Sequence, residues 1–162
     1  MIRLAQEKDL GVINNIYNQA VSSKFETADT APVTLAERAF WFGQHPLSSF
    51  PVYVYEHNGL VAAWLSFSPY RAGRKALRFT TEISYYVHAD FKRLGIGNQL
   101  IAFALEEAQK LGFKSVFAIV LDRNIPSINL LKKYNFAEWA HLPGIADFEG
   151  VECGHYYYGI RL

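Results

Sequence analysis

Apolar positions recur at helical spacing in two stretches near the start of the chain. Leu10, Ile13, Ile16, Tyr17, Ala20 and Val21 form one stripe, and Leu35, Ala39, Phe40 and Phe42 predict a second, shorter helix before His45-Pro46. The segment between them, Ser22 to Pro32, is polar and long enough to be a functional loop. The period then changes to that of strands. Val52 to Glu56 and Leu60 to Phe67 flank His57-Asn58-Gly59, and Asn-Gly between two β-rich runs predicts a hairpin. A basic loop with Arg71, Arg74 and Lys75 leads to a third long strand, Leu77 to Val87. A helix follows with the stripe Leu100, Ile101, Ala104, Leu105, Ala108 and Leu111, closed by Gly112. Ser115 to Leu121 is an almost continuous apolar run, as expected of a strand covered on both faces. A short helix near Ile125 to Tyr134 and two strands, roughly Ala137 to Leu142 and Cys153 to Ile160, complete an α/β chain with a mixed sheet.

The candidate chemistry concentrates between Val87 and Leu111. A strand ends at His88, a basic glycine loop follows (Lys92, Arg93, Leu94, Gly95, Ile96, Gly97), and a helix begins. Glycines at 95 and 97 let the backbone turn its N–H groups inward, the helix adds its positive end, and Lys92 and Arg93 add charge. The expected guest is a diphosphate. A dinucleotide fingerprint would want a small third residue where this chain has Leu100, although Asp122 does end the next strand. A P-loop would need Gly-Lys-Ser or Gly-Lys-Thr, which is absent. An ordinary turn and helix start is the remaining alternative.

Composition narrows the picture further. The 162 residues suit one domain, 1–162, able to bury a single core. With 16 basic and 15 acidic residues the net charge is +1, so no electrostatic footprint for nucleic acid is present. No run approaches the roughly 18 apolar residues of a membrane span, and the first ten residues are charged where a signal peptide would be apolar. The one cysteine, Cys153, excludes an intramolecular disulfide and suits a reducing compartment, so a soluble, cytoplasmic protein is expected. Histidines 45, 57, 88, 141 and 155 show no metal-ligand spacing, and no metal is expected.

Further motifs carry a family likeness. Tyr85-Tyr86-Val87-His88, the Lys92 to Gly97 loop, Asn124-Ile125-Pro126-Ser127 and Tyr134-Asn135-Phe136 resemble the GNAT superfamily of acyl-CoA-dependent N-acetyltransferases, and the element order fits. Ala63-Trp64-Leu65-Ser66-Phe67, Thr80-Thr81-Glu82, Phe136-Ala137-Glu138-Trp139, Leu142-Pro143-Gly144-Ile145-Ala146 and Thr27 to Thr34 are similar to the phosphinothricin and methionine sulfoximine N-acetyltransferases within it. The resemblance implies a mixed, mostly antiparallel sheet with a splayed parallel pair, helices on both faces, acetyl-CoA as co-substrate and a homodimer.

It also assigns residues. Tyr85, Tyr86 and Val87 match the strand that pairs with pantetheine; the amides of Arg93, Leu94, Gly95, Ile96, Gly97 and Asn98 match the pyrophosphate loop; Asn124 matches the residue that holds the pantetheine amide or the nearby sulfur, with a plain helix start as the alternative. Glu82 matches the catalytic glutamate that would deprotonate the substrate ammonium, and a salt bridge to Arg78 is the competing explanation. The position that often supplies a general acid is Leu131, which has no proton to give, and Tyr134 matches an inward-packing leucine, so water or no acid serves the leaving thiolate.

Arg71, Arg74 and Arg78 lie close to Glu82 in sequence and could grip a carboxylate, with Phe67 and Tyr70 as an apolar wall. That suggests a small amino acid, and the resemblance narrows it to an acceptor of phosphinothricin, methionine sulfoximine or methionine sulfone type, which would be acetylated on its α-amino group by direct attack in a ternary complex. The competing readings are a non-catalytic acyl-CoA sensor, an acetyltransferase for a peptide N-terminus, and a dinucleotide oxidoreductase. His141 could approach substrate or be structural, and Cys153 with His155 two residues away is better read as a buried or edge thiol.

Overall fold

The computed structural model describes residues 1–162. Seven strands form one sheet in the order β1-β2-β3-β4-β5-β7-β6. These are β1 (Ile2–Leu4), β2 (Val52–His57), β3 (Leu60–Pro69), β4 (Thr80–Val87), β5 (Ser115–Leu121), β6 (Ala137–Phe148) and β7 (Val151–Arg161). The helices are α1 (Leu10–Ser23), α2 (Leu35–Gly43), α3 (Ile96–Lys110) and α4 (Ile125–Lys133). Every neighbouring pair is antiparallel except β4 and β5.

Alternation along the strands divides the side chains between two layers. Ala63, Leu65 and Phe67 of β3, Ile83 of β4 and Val116, Ala118 and Val120 of β5 pack with Leu100, Ile101, Ala104 and Ala108 of α3 and Ile128 and Leu131 of α4. The intervening Val52, Val54 and Trp64 join Ile13 and Ile16 of α1 on the opposite face. Helices therefore cover both faces. Glu82, Ser84 and Tyr86 alternate with Ile83, and Tyr86 packs with Trp64 in the α1 layer. The two faces of β4 thus look into different chemistry.

Most of the sequence reading survives, and the departures have physical causes. The hairpin turns at Asn58 (φ 51°) and Gly59 (φ 79°), where Asn-Gly chemistry put it. The third strand starts at Thr80 rather than Leu77, because Lys75–Leu77 forms a 3-10 turn. The last two strands are longer than expected, since they pair with each other as far as Phe148 and Val151. Strand β1 carries too few residues for its alternation to show in sequence. In α2 the expected apolar stripe misplaces the inner face: Phe40 is 72% exposed, while Arg38 is buried. A capping box starts this helix, with Glu37 N–H donating to Thr34 Oγ1 and Thr34 N–H donating to Glu37 Oε2. Arg38 then lies between the rings of Tyr17 (4.3 Å) and Trp41 (4.7 Å), so an aromatic box accepts the cation.

Candidate active site

The parallel pair opens into a wedge. β4 and β5 are in register at Thr80–Ser115, Thr81–Val116 and Glu82–Phe117, and pairing stops there although β4 runs on to Val87 and β5 to Leu121. Beyond Glu82 the two strands border a cleft of about 480 Å³, lined by Ile83 to Val87 on one side and Ala118, Ile119 and Val120 on the other. An unpaired strand edge inside a cleft offers main-chain hydrogen bonds to an extended guest.

The glycine loop closes one end of this cleft. Arg93, Gly95, Ile96, Gly97 and Asn98 line it, whereas the Leu94 side chain is exposed and lies outside the lining. Gly95 caps α3 in the left-handed conformation (φ 78°), and Arg93 holds a left-handed φ of 66° that only a few non-glycine residues adopt. This kinked backbone leaves the amides of Arg93 through Asn98 without a backbone acceptor; the first helical bond runs from Gln99 N–H to Gly95 O. Six free N–H groups at a helix start, beside Lys92 and Arg93, form a site for a polyanion. Gly97 is small for a separate reason: a Cβ there would sit 3.0 Å from Leu130 Cδ2, so α3 and α4 pack closely at the cleft floor. Asn98 Oδ1 accepts from Lys133 Nζ at 2.6 Å and its carbonyl accepts from Tyr134 Oη at 2.8 Å, which ties the start of α3 to the end of α4.

Asn124 caps α4 and borders the cleft. Its Oδ1 accepts from Ser127 N–H at 3.3 Å. On the same wall, Tyr85 Oη and Ser127 Oγ are 2.5 Å apart. Burial pushes the Tyr85 phenol up to about 12, so it stays protonated at neutral pH. Leu131 is fully buried in the layer under α3.

Glu82 stands at the last paired position of the wedge, on the α1 and α2 face. It lies opposite Ser68 on β3 and Phe117 on β5. Its carboxylate makes no hydrogen bond and no ion pair, and burial alone raises its pKa above the usual carboxylate value. The expected bridge to Arg78 does not form. Arg78 precedes the strand, donates to Lys75 O at 3.0 Å and lies 4.2 Å over the Phe79 ring.

The expected substrate residues separate. Phe67 is fully buried, stacks on Phe113 and belongs to the α3 layer, so it faces away from Glu82 and cannot wall the same pocket. Strand alternation explains the correction, since Ser66 and Ser68 hold the other face. Arg71, Arg74 and Arg78 come together with Lys75, Phe50 and Tyr70 around a second cavity of about 420 Å³ that shares no residue with the wedge. Tyr70 connects the two regions. Its ring stands edge-on to Phe117 at 5.1 Å, beside Glu82, and the Arg71 guanidinium lies 5.7 Å from the centre of the Tyr70 ring.

Glu26, Ser84 and Ile119 also line the wedge, and none was singled out in the sequence. Only the polar loop from Ser22 to Pro32 hinted at Glu26. His141 stacks on Tyr156 and bonds Asp122, while Asp122 also accepts from Gly154 N–H, so these residues fasten β5 to β6 and β7. Cys153 is buried, and burial pushes its thiol up, which makes it a poor nucleophile.

Comparison with known proteins agrees with this geometry. The model of the acetyltransferase (GNAT) family matches residues 13–136. YwnH of Bacillus subtilis strain 168, provisionally named a phosphinothricin acetyltransferase, is 43% identical over 150 residues, covering 92% of this chain and 91% of that protein. The L-methionine sulfoximine/L-methionine sulfone acetyltransferase of Salmonella typhimurium is 31% identical over 155 residues, 96% of this chain and 88% of its own length. Among solved structures, a GNAT superfamily phosphinothricin acetyltransferase from Sinorhizobium meliloti in complex with acetyl-CoA superimposes with a TM-score of 0.93 at 25% identity, covering all of this chain and 88% of that one. The chain is thus an acetyl-CoA-dependent acyltransferase, and it belongs to the GNAT acetyltransferase family.

Proposed function

We propose that this enzyme acetylates the α-amino group of a small amino-acid-like acceptor of the phosphinothricin, methionine sulfoximine or methionine sulfone type. The observation that carries the reading is Glu82: a carboxylate without a partner, raised by burial, at the point where the wedge opens. The acyl-CoA side and the acceptor side then meet across β4. The free amides of Arg93 to Asn98 hold the pyrophosphate, Asn124 and the open edge of Tyr85 to Val87 hold pantetheine, and acetyl-CoA supplies the activated acyl group. The acceptor approaches from the α1 and α2 face.

There Glu82 takes a proton from the ammonium, and the free amine attacks directly within the ternary complex. Main-chain N–H groups along the open edge of β4 are suited to stabilise the oxyanion. A raised carboxylate pKa brings the base closer to working pH, where a general base is most effective. Arg71, through its contact with Tyr70 beside Phe117, is best placed of the three arginines to meet the acceptor carboxylate; Arg74 and Arg78 contribute a positive field around the second cavity. The relatives named for phosphinothricin and methionine sulfoximine support this acceptor class.

A silent acyl-CoA sensor would have no use for an unpartnered carboxylate at the wedge, because a buried charge without a role costs stability. A homodimer follows from the family resemblance, and the exposed edge strand β6 with Trp139 and Ile145 offers a surface for it. We read residues 1–162 as one catalytic domain. The test is acetyl-CoA-dependent thiol release with phosphinothricin, methionine sulfoximine, methionine sulfone, ordinary amino acids and a peptide N-terminus, followed by mass analysis of the product. Efficient turnover confined to the small mimics supports the reading. Preference for the peptide, or silence on every amine despite acetyl-CoA binding, defeats it.

A further inference from the structure

Departure of a thiolate into the wedge leaves one charge unaccounted for by Glu82. Glu82 lies on the acceptor face of β4, whereas the sulfur leaves on the side where pantetheine lies. A thiolate in an apolar slot is disfavoured unless a donor meets it. The walls of the wedge hold amide and serine groups that can donate a hydrogen bond, such as Asn124, but few side chains able to release a proton. Tyr134 is committed to the Asn98 carbonyl and does not line the cleft, Leu131 carries no polar atom, and Cys153 and His88 lie outside the lining. Lys92 and Arg93 belong to the loop at the anion end. Tyr86 turns to the opposite face, where its ring packs on Trp64 at 4.8 Å.

Tyr85 is the phenol that remains. Its position, one residue from Tyr86 in a strand, sends its side chain into the α3 and α4 layer, where it packs against the main core. There Tyr85 Oη meets Ser127 Oγ in the first turn of α4, three residues after the cap Asn124. Both line the wedge, with Asn124 on the same wall. A phenol and a serine hydroxyl joined in this way can pass a proton along: one donates outward while it accepts from the other.

We propose that Tyr85, backed by Ser127, is the proton donor to the departing coenzyme A sulfur. It rests on the wedge being the pantetheine slot. The amine nitrogen forms a bond to the acyl carbon and the carbon–sulfur bond breaks, with its electron pair going to sulfur. The ammonium loses two protons in becoming an amide. One leaves through Glu82 to solvent, and the other follows it to solvent as the intermediate collapses. Tyr85 Oη gives its proton to sulfur and the phenolate regains one from solvent through Ser127 Oγ, so two protons leave, one returns, and the products are the amide, the free thiol and one released proton. Burial keeps the phenol protonated throughout the neutral range.

A binding measurement separates this role from simple packing. Coenzyme A and desulfo-coenzyme A, which lacks the thiol, are titrated calorimetrically into the wild type, Tyr85→Phe and Ser127→Ala, and kcat is measured alongside on an accepted amine. A hydrogen bond to sulfur predicts that the wild type favours coenzyme A over the desulfo compound by about three- to tenfold, the worth of one hydrogen bond. Tyr85→Phe should lose that preference while its affinity for desulfo-coenzyme A stays the same, and kcat should fall at least about tenfold. Ser127→Ala keeps the phenol in place and provides the check if Tyr85→Phe folds poorly; it should lower both the preference and kcat by a smaller factor. Retention of the full preference and of kcat within twofold in either variant that folds overturns the assignment to Tyr85 alone. Failure of coenzyme A to bind the wild type would overturn the reading of the wedge as well.

Discussion

Lys92 Nζ and Glu26 Oε1 form an ion pair at 2.7 Å that joins the anion loop before α3 to the loop between α1 and α2. Both residues line the wedge. The loop that carries Glu26 also places Thr27 against Tyr17, so the α1–α2 loop and the glycine loop are fastened through one exposed contact. A polyanion bound at the free amides competes with Glu26 for Lys92. Glu26→Gln is therefore expected to strengthen coenzyme A binding, by up to about fivefold since exposed pairs are worth roughly 0.2–1 kcal/mol, and Lys92→Ala to weaken it. Titration calorimetry at low and high salt checks this, and the difference between variant and wild type should shrink as salt rises.

Glu82 links activity to pH and to stability with opposite signs. Its folded pKa lies above the ordinary 4.5, so the native state holds this proton more tightly than the unfolded chain does. Its contribution to stability is then full below 4.5 and is lost as pH rises through the folded value. Activity runs the other way, because the base must be unprotonated. The expected outcome is a kcat/KM that climbs with pH through a single ionisation above 4.5. Glu82→Gln should melt no lower than the wild type at neutral pH and lose the corresponding slope of Tm against pH.

The arginines make separable contributions. Arg71→Ala should raise the acceptor KM by about tenfold or more, the worth of a charge-assisted hydrogen bond, with kcat little changed. Arg74→Ala and Arg78→Ala, placed around the second cavity, should change KM by only a few fold and mainly at low salt. Steady-state kinetics at two salt concentrations distinguishes the three.

Gly154 marks a place where the sheet has no room. A Cβ there would come within 2.6 Å of the Leu142 carbonyl oxygen and 2.7 Å of Asp122 Oδ2, the atom that accepts the Gly154 N–H. The backbone carbonyl cannot swing aside as a side chain could. Gly154→Ala should cost about 1–3 kcal/mol of stability, read from denaturant unfolding. Activity per folded molecule should fall less than stability does, because neither Gly154 nor Asp122 lines the wedge.

Local pattern made the elements legible wherever period and length agreed. The α3 stripe, the Asn58-Gly59 turn and the apolar β5 all sit where their residues placed them. The glycine turn into α3 was equally readable, because glycine, basic residues and a helix start are consecutive. Residues brought together across the sheet were not. Phe67 looked like a pocket wall from its neighbours in sequence, yet one step of strand alternation sends it into the opposite layer. Arg38 lies outside the expected α2 stripe, and the approach of Tyr17 from α1 turns its site into an aromatic box. The pairing of Tyr85 with Ser127 spans 42 residues, and that of Lys92 with Glu26 spans 66, so no local window contains either.

The most direct test of the account is single-turnover acetyl transfer from acetyl-CoA to methionine sulfone by the wild type and by Glu82→Gln, with acetyl-CoA affinity measured on the same samples. The account predicts acetylation of the α-amino group by the wild type, a loss of about 10²- to 10⁴-fold in rate for the variant, and equal affinity for acetyl-CoA in both. Undiminished transfer by Glu82→Gln, or a wild type that binds acetyl-CoA and leaves the amino acid untouched, would contradict it.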